Sequence, residues 1–213
     1  GTIRAVEGNS ATLAGRSVYI EGIGKVGFPL MQELHKAGAR LLVSNRSVTE
    51  SEREALRRAT DECNAEIVPR GENGTPKHFP YTEIYAPCAL GGIVSSERIY
   101  KYPFGLKYIA GSANNILLDP AVDGDYLRRR YIVCAPDYVI NNRGLFDVHH
   151  QRMHEAGIAQ YNEEIVLLGC RDNERLLGEI ISRALREEEC PHVIADKMAK
   201  EVINRKKYEQ GQL

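Results

Sequence analysis

Two sets of residues in this chain have types and spacings that point to chemistry. The first is Gly22, Gly24 and Gly27, arranged as G-x-G-x-x-G directly after the apolar run Val18, Tyr19, Ile20. Backbone N–H groups left free at a glycine turn and a helix start make a site for an anion, and phosphate suits it. The second set is two amide doublets, Asn114–Asn115 and Asn141–Asn142, each shortly after an apolar run. Such amides either orient a polar ligand or only cap helices and close turns. His149, His150 and His154 are a weaker set. Positions 150 and 154 lie one helical turn apart, but no acidic or cysteine ligand is joined to them, so a surface helix is a better reading than a metal centre.

The elements that must position these residues can be read around them. After Gly27 a helix with Leu30, Met31, Leu34 and Ala37 on one face runs to Gly38, and a second apolar strand, Leu41 to Val43, follows. Strand, turn, helix and strand within about 30 residues is the context in which the glycine spacing gains meaning. Gly22 permits the tight turn, Gly24 lets backbone approach a pyrophosphate, and Gly27 allows close packing of the helix. This favours dinucleotide binding over a plain structural turn.

The same grammar continues downstream. Ser47 to Ala59 reads as an N-capped, charged helix, and Ala65–Pro69 as a short third strand. Residues 70–80, with their glycines and prolines, read as an exposed loop. Ile84 to Leu90, Tyr108 to Asn115 and Tyr131 to Asn142 each begin as a buried strand and end in small and amide residues. Alternating β and α elements predict an α/β fold of Rossmann type, a doubly wound, mostly parallel sheet with a C-terminal helical segment. The expected division is a lead-in helix in 1–15, a dinucleotide-binding domain in 16–147, and C-terminal helices in 148–213 packing on the same domain. Within the last, Ile180, Ile181, Ala184 and Leu185 form one stripe, and Ile194, Met198 and Val202 another.

Composition narrows the function classes. With 213 residues, 43% hydrophobic and 27% charged, the chain has the makeup of a soluble globular domain. A net charge of −1 supplies no general field for nucleic acid or an anionic membrane. No apolar run approaches the roughly 20 residues that span a bilayer, and no signal peptide is visible. Cys63, Cys88, Cys134, Cys170 and Cys190 are odd in number and far apart, as expected for reduced thiols in a cytoplasmic protein without a metal.

Together, Glu21-Gly-Ile-Gly-Lys-Val-Gly, Ala86-Pro-Cys-Ala-Leu-Gly-Gly, Ala110-Gly-Ser-Ala-Asn-Asn, Ala135-Pro-Asp-Tyr-Val-Ile-Asn and Ala195-Asp-Lys-Met-Ala resemble the cofactor domain of the leucine/phenylalanine/valine amino-acid dehydrogenase family. The resemblance covers nearly the whole chain. It implies reversible NAD(P)-linked oxidative deamination of an L-amino acid to a 2-oxo acid. Cofactor contacts are expected from Gly22, Gly24, Lys25 and Val26 of the glycine turn and from Asn45, Arg46 and Ser47, and the resemblance adds Ala89, Leu90 and Asn114, with Asn114 holding the nicotinamide. Asn115, Val139, Asn141 and Arg143 would border an amino-acid or imine substrate.

The chain departs from that pattern in three places. The family's N-terminal substrate domain, with its working lysines and catalytic aspartate, has no counterpart here. The chain is then a fragment, one half of a split enzyme with a separate substrate-domain chain, or a diverged stand-alone protein. The acidic residue after the second strand is replaced by Asn45, with Arg46 and Ser47 beside it. Those residues suit a 2′-phosphate and predict NADP rather than NAD. Arg143 stands where the family has a small residue, and would either bind a carboxylate or obstruct the usual pose. The remaining alternatives are a cyclic-imine reductase and a non-catalytic nucleotide-binding or regulatory subunit. Homo-oligomerisation is expected.

Overall fold

The structure, a computed structural model, describes residues 1–71 and 76–209. In chain order the elements are α1 (Thr2–Glu7), β1 (Ser17–Glu21), α2 (Gly27–Lys36), β2 (Arg40–Ser44), α3 (Glu50–Cys63), β3 (Glu66–Ile67), β4 (Ile84–Pro87) and α4 (Ser96–Ile99). They continue with β5 (Tyr108–Ile109), α5 (Pro120–Arg129), β6 (Val133–Cys134), α6 (Asp137–Ile140), α7 (Asn142–Glu155), α8 (Glu163–Glu187) and α9 (Pro191–Glu209). The six strands form one all-parallel sheet in the order β3-β2-β1-β4-β5-β6. The order reverses between β1 and β4, and that switch point is where such sheets bind ligands.

Burial on both faces explains why the central strands are continuous apolar runs. Tyr19, Leu42, Tyr85 and Ile109 belong to one cluster, and Val18, Ile20, Leu41, Val43 and Ala86 to another. Met31 of α2 is fully buried in the second, with Phe28 and Leu34 packed against it. Truncating such a methionine costs about 2–5 kcal/mol. α3 starts with a capping box, Thr49 and Glu52 each bonding the other's backbone N–H. α5 starts with Asp119 accepting from Ala121 and Val122, and Pro120 fills the first helical position.

Several expectations need correction. The 70–80 segment, of which 72–75 lie outside the described residues, is not simply an exposed loop. Phe79 packs edge-on against Tyr19 and Tyr85 and lies 4.5 Å from the Tyr102 ring, because an aromatic side chain has that much apolar surface to hide. In the C-terminal helices Leu177, Ile180, Ile181, Ala184 and Ile194 are buried, but Leu185 is 53% and Val202 42% exposed. Leu185 falls in the last turn of α8, and α9 beyond Met198 runs clear of the sheet with every described residue exposed. α7 begins at Asn142, ahead of the expected start at Val148, and buries none of its residues. α1 packs on α8, with Arg4 bonded to Glu174.

Candidate functional site

The glycine turn leaves the carboxyl end of β1 at the switch point. Gly22 sits at φ +100°, and its N–H donates to the Ser44 carbonyl at 2.8 Å. A Cβ there would lie 2.7 Å from that of Ala89, so this position admits glycine on both backbone and packing grounds. A Cβ on Gly27 would overlap the Gly22 carbonyl, so Gly27 lets α2 close onto its own entry turn. Gly24 differs. It is exposed, and a Cβ on it would meet nothing within 4 Å. α2 has Val26 at its N-cap and no side-chain cap. The Phe28 N–H is taken by the Gly24 carbonyl at 2.9 Å and Pro29 has none, so the N–H groups of the turn itself, beside an open glycine, are what an anionic pyrophosphate would meet, and the residues present fit the phosphates of a dinucleotide. Lys25 and Val26 are exposed on the same turn.

Beside it lies a cavity of about 410 Å³ lined by Ile23, Gly24, Lys25, Asn45, Glu52 and Arg58, among others. The Asn45 side-chain oxygen is 3.5 Å from the Ile23 N–H, which ties the end of β2 to the glycine turn. Ser47 is exposed, and its carbonyl accepts from Arg53 at 3.1 Å. Arg46 is exposed too, and its guanidinium lies 2.9 Å from the Glu52 carboxylate. Glu52 also accepts from the Thr49 and Val48 N–H groups at 3.0 and 3.1 Å. Its carboxyl is held below the usual range first by its bonds to Thr49, then by the charge of Arg46 and the Val48 N–H. Arg46 is therefore already partly neutralised, which the sequence alone did not reveal.

The next loops touch in sequence across the sheet. Ala89 lies against Gly22, and Leu90 is 68% exposed on the rim. A Cβ on Gly91 would come 2.7 Å from the Asn114 carbonyl, and the Gly92 N–H donates to the Asn115 carbonyl at 2.7 Å. The Asn141 amide donates to the Ala113 carbonyl at 3.1 Å and stands 3.5 Å from the Asn114 side-chain oxygen. Asn45, Gly22, Ala89, Asn114 and Asn141, drawn from the ends of five strands, thus form one continuous row.

Other predicted residues lie differently. Val139 is buried in the α6–α8 core, and its carbonyl accepts from Asn173 at 3.0 Å. Asn142 is likewise tied to Asn173, at 2.6 Å. Arg143 packs over Gly169 of α8, where a Cβ would stand 2.5 Å from its Nη1, and 5.2 Å from the Phe146 ring. An arginine beside a glycine groove and an aromatic ring gains packing and cation–π contact there. The His150 ring lies 4.4 Å from the Phe146 ring at a tilt of 48°, and the His154 Nδ1 accepts from the Tyr161 N–H. Among the described residues no group of three His, Cys, Asp or Glu side chains could hold a metal, all five cysteines are free, and no helix is long and apolar enough to cross a membrane.

Two buried carboxylates beside these loops, Glu21 and Asp137, were given no role by the sequence. Glu21, the last residue of β1, has no exposed surface and accepts from the Tyr85 hydroxyl at 2.5 Å and from Arg98 at 2.9 Å. Its signal was a charge closing an otherwise apolar strand. Asp137 is 4% exposed and accepts from the Asn115 N–H at 2.7 Å. A larger cavity, about 690 Å³, lies between residues 76–79 and α4, but it includes none of the glycine-turn or amide residues.

A parallel sheet whose strand-end loops converge on a glycine turn at the switch point defines a Rossmann-type fold with the geometry of a dinucleotide site. No protein-family model matches the chain. Leucine dehydrogenase of Geobacillus stearothermophilus is 34% identical over 195 residues, 91% of this chain and 48% of that protein. Phenylalanine dehydrogenase of Lysinibacillus sphaericus is 31% identical over 175 residues, 82% of this chain and 42% of that protein. The crystal structure of L-tryptophan dehydrogenase from Nostoc punctiforme superposes with a TM-score of 0.81 at 28% identity, over 97% of this chain and 57% of that one. The chain corresponds to the cofactor-binding domain of the leucine, phenylalanine and valine dehydrogenase family, and spans about half the length of the curated relatives it matches.

Proposed function

We propose that the chain binds a nicotinamide dinucleotide along the row from Asn45 to Asn141 and serves hydride transfer between an amino or imino acid and NADP. The observation that carries this reading is the contact of Gly22 with Ala89 and of Gly91 with Asn114, which makes one ledge of separate loops. The Gly22–Gly24 backbone and the α2 N-terminus would hold the pyrophosphate, with Lys25 and Val26 beside it. Asn45, Arg46 and Ser47 would hold the ribose and its 2′-phosphate, Ala89 and Leu90 the cleft wall, and Asn114 the carboxamide of the nicotinamide. Bound there, the cofactor supplies a hydride acceptor for the α-carbon of the amino acid.

Asn115 and Asn141 border the place where the amino acid would lie, and Val139 backs it from the core. The base and amine-activating groups that deamination needs are not in this row. They would come from residues equivalent to the unmatched half of the relatives, in the same polypeptide or in a partner chain. We place the working protein in the cytoplasm as a homo-oligomer.

Calorimetry with NADP(H) and NAD(H) tests the reading, with saturable binding and about tenfold preference for NADP expected from one charge-assisted contact. No binding of either cofactor would overturn it. Equal affinities would return the choice to NAD, which the Arg46–Glu52 pair favours. A deamination assay with leucine, valine and phenylalanine should show no appreciable NAD(P)H production by these residues alone.

A further inference from the structure

We infer that Asp137 is a positioning residue, which sets the cofactor's nicotinamide end by fixing the left-handed turn at Asn115. The inference rests on the reading of Asn114 as the nicotinamide contact. Asn115 has φ +51°, a left-handed conformation that asparagine tolerates better than other side chains and that a further contact can fix. That contact is the Asp137 carboxylate, whose Oδ2 takes the Asn115 N–H at 2.7 Å. A second tie, from the Asn141 amide to the Ala113 carbonyl, holds the other side of Asn114. The 113–115 turn is therefore gripped on both sides by the segment after β6, while the Asn114 side chain between the ties stays exposed.

Asp137 is in turn braced from behind. His192 of α9, 5% exposed, places Nε2 3.8 Å from the Asp137 Oδ1, beyond hydrogen-bond distance but close enough for charge attraction, and this nitrogen has no hydrogen-bond partner among the described residues. Its Nδ1 faces the Cys190 sulfur at 3.8 Å, and the Tyr138 hydroxyl donates to its backbone carbonyl and to Asp196. Burial alone would push the His192 imidazole down, but Asp137 and Cys190 outweigh it and hold it above its ordinary value. Burial would likewise raise the Asp137 carboxyl, yet His192 and the Asn115 N–H keep it below the usual range. A carboxylate kept ionised in a buried place is a stronger and more directional acceptor than a neutral group. α9 thereby reaches the strand-end row through Asp137, although none of its own residues lies in it.

The test compares two probes on the full chain, NADPH and 2′-phospho-ADP-ribose, which lacks the nicotinamide. Asp137→Ala should weaken NADPH about tenfold and leave 2′-phospho-ADP-ribose within about twofold, because only the nicotinamide end loses its support. Asp137→Asn, which keeps an acceptor oxygen, should fall between. In ¹⁵N-labelled protein the Asn115 amide should lose its hydrogen-bonded shift and exchange protection in Asp137→Ala. Equal weakening of both probes would mean general damage and would overturn the inference, as would unchanged NADPH affinity. If the unaltered chain bound neither probe, the cofactor reading itself would fall, and this one with it.

Discussion

The Glu21 carboxylate lies 2.9 Å from the Arg98 guanidinium with no exposed surface of its own, directly before the glycine turn. Arg70 approaches its other oxygen at 3.7 Å and donates to Ser44 at 3.3 Å. One buried anion therefore joins β1, β2, the segment after β3, and α4. Glu21→Gln would leave two largely buried guanidinium groups facing a neutral amide. An uncompensated buried charge costs about 3–5 kcal/mol, so the urea midpoint should fall sharply at unchanged slope. A loss under about 1 kcal/mol would mean that water reaches both arginines.

Gly24 separates binding from stability. Gly24→Val should leave the thermal midpoint near that of the unaltered chain, because nothing lies within 4 Å of the added carbon. Dinucleotide affinity should drop at least about tenfold as the branch blocks the pyrophosphate. Gly22→Ala, by contrast, should destabilise, since it strains φ +100° and pushes on Ala89. Matched losses of stability in both variants would refute the distinction.

Glu52 offers a clean change at the ribose end. Glu52→Gln preserves the capping box, which accepts either side chain, while releasing Arg46 from a negative partner. An ion pair in contact with solvent is weak, so the NADP preference should rise by less than about fivefold, with α3 intact by circular dichroism. A preference that does not move would put Arg46 outside the site.

Acid sensitivity should begin at α1. The Glu7 carboxyl is lowered from an ordinary 4.5 to about 2 by its bonds first to Arg16 and then to the Tyr108 hydroxyl. A depressed carboxyl contributes stability above its unfolded pKa and loses it as pH falls through the folded one, here from about 4.5 to about 2. Glu7→Gln should flatten the stability profile across that interval and leave pH 7 to 9 unaffected in slope. The effect should shrink in high salt, because the pair is partly exposed.

Local pattern carried much of this architecture. The strand before Gly22, the helix to Gly38 and the strand after it follow from apolar spacing and glycine position within 30 residues. The amide doublets could be placed at strand ends by the same logic. Arg143 could not be placed, since its packing depends on a glycine in α8, nor could Asp137, whose role appears only when β5 and β6 pair. Glu21 and Arg98 are 77 positions apart, beyond any periodicity. Leu185 and Val202 continue their stripes correctly in sequence, but the surface they would cover ends first.

The strand order also governs how the chain can assemble. β1 aligns Val18 with Ile84, so the middle of the sheet closes only after two intervening strands and helices have been made. Such non-local pairing slows folding and leaves apolar strands waiting without neighbours. On a ribosome the glycine turn would emerge long before Ala89 arrives to pack against it. Substitutions along β4 should therefore act on yield during synthesis more than on the finished protein's affinity for its ligand.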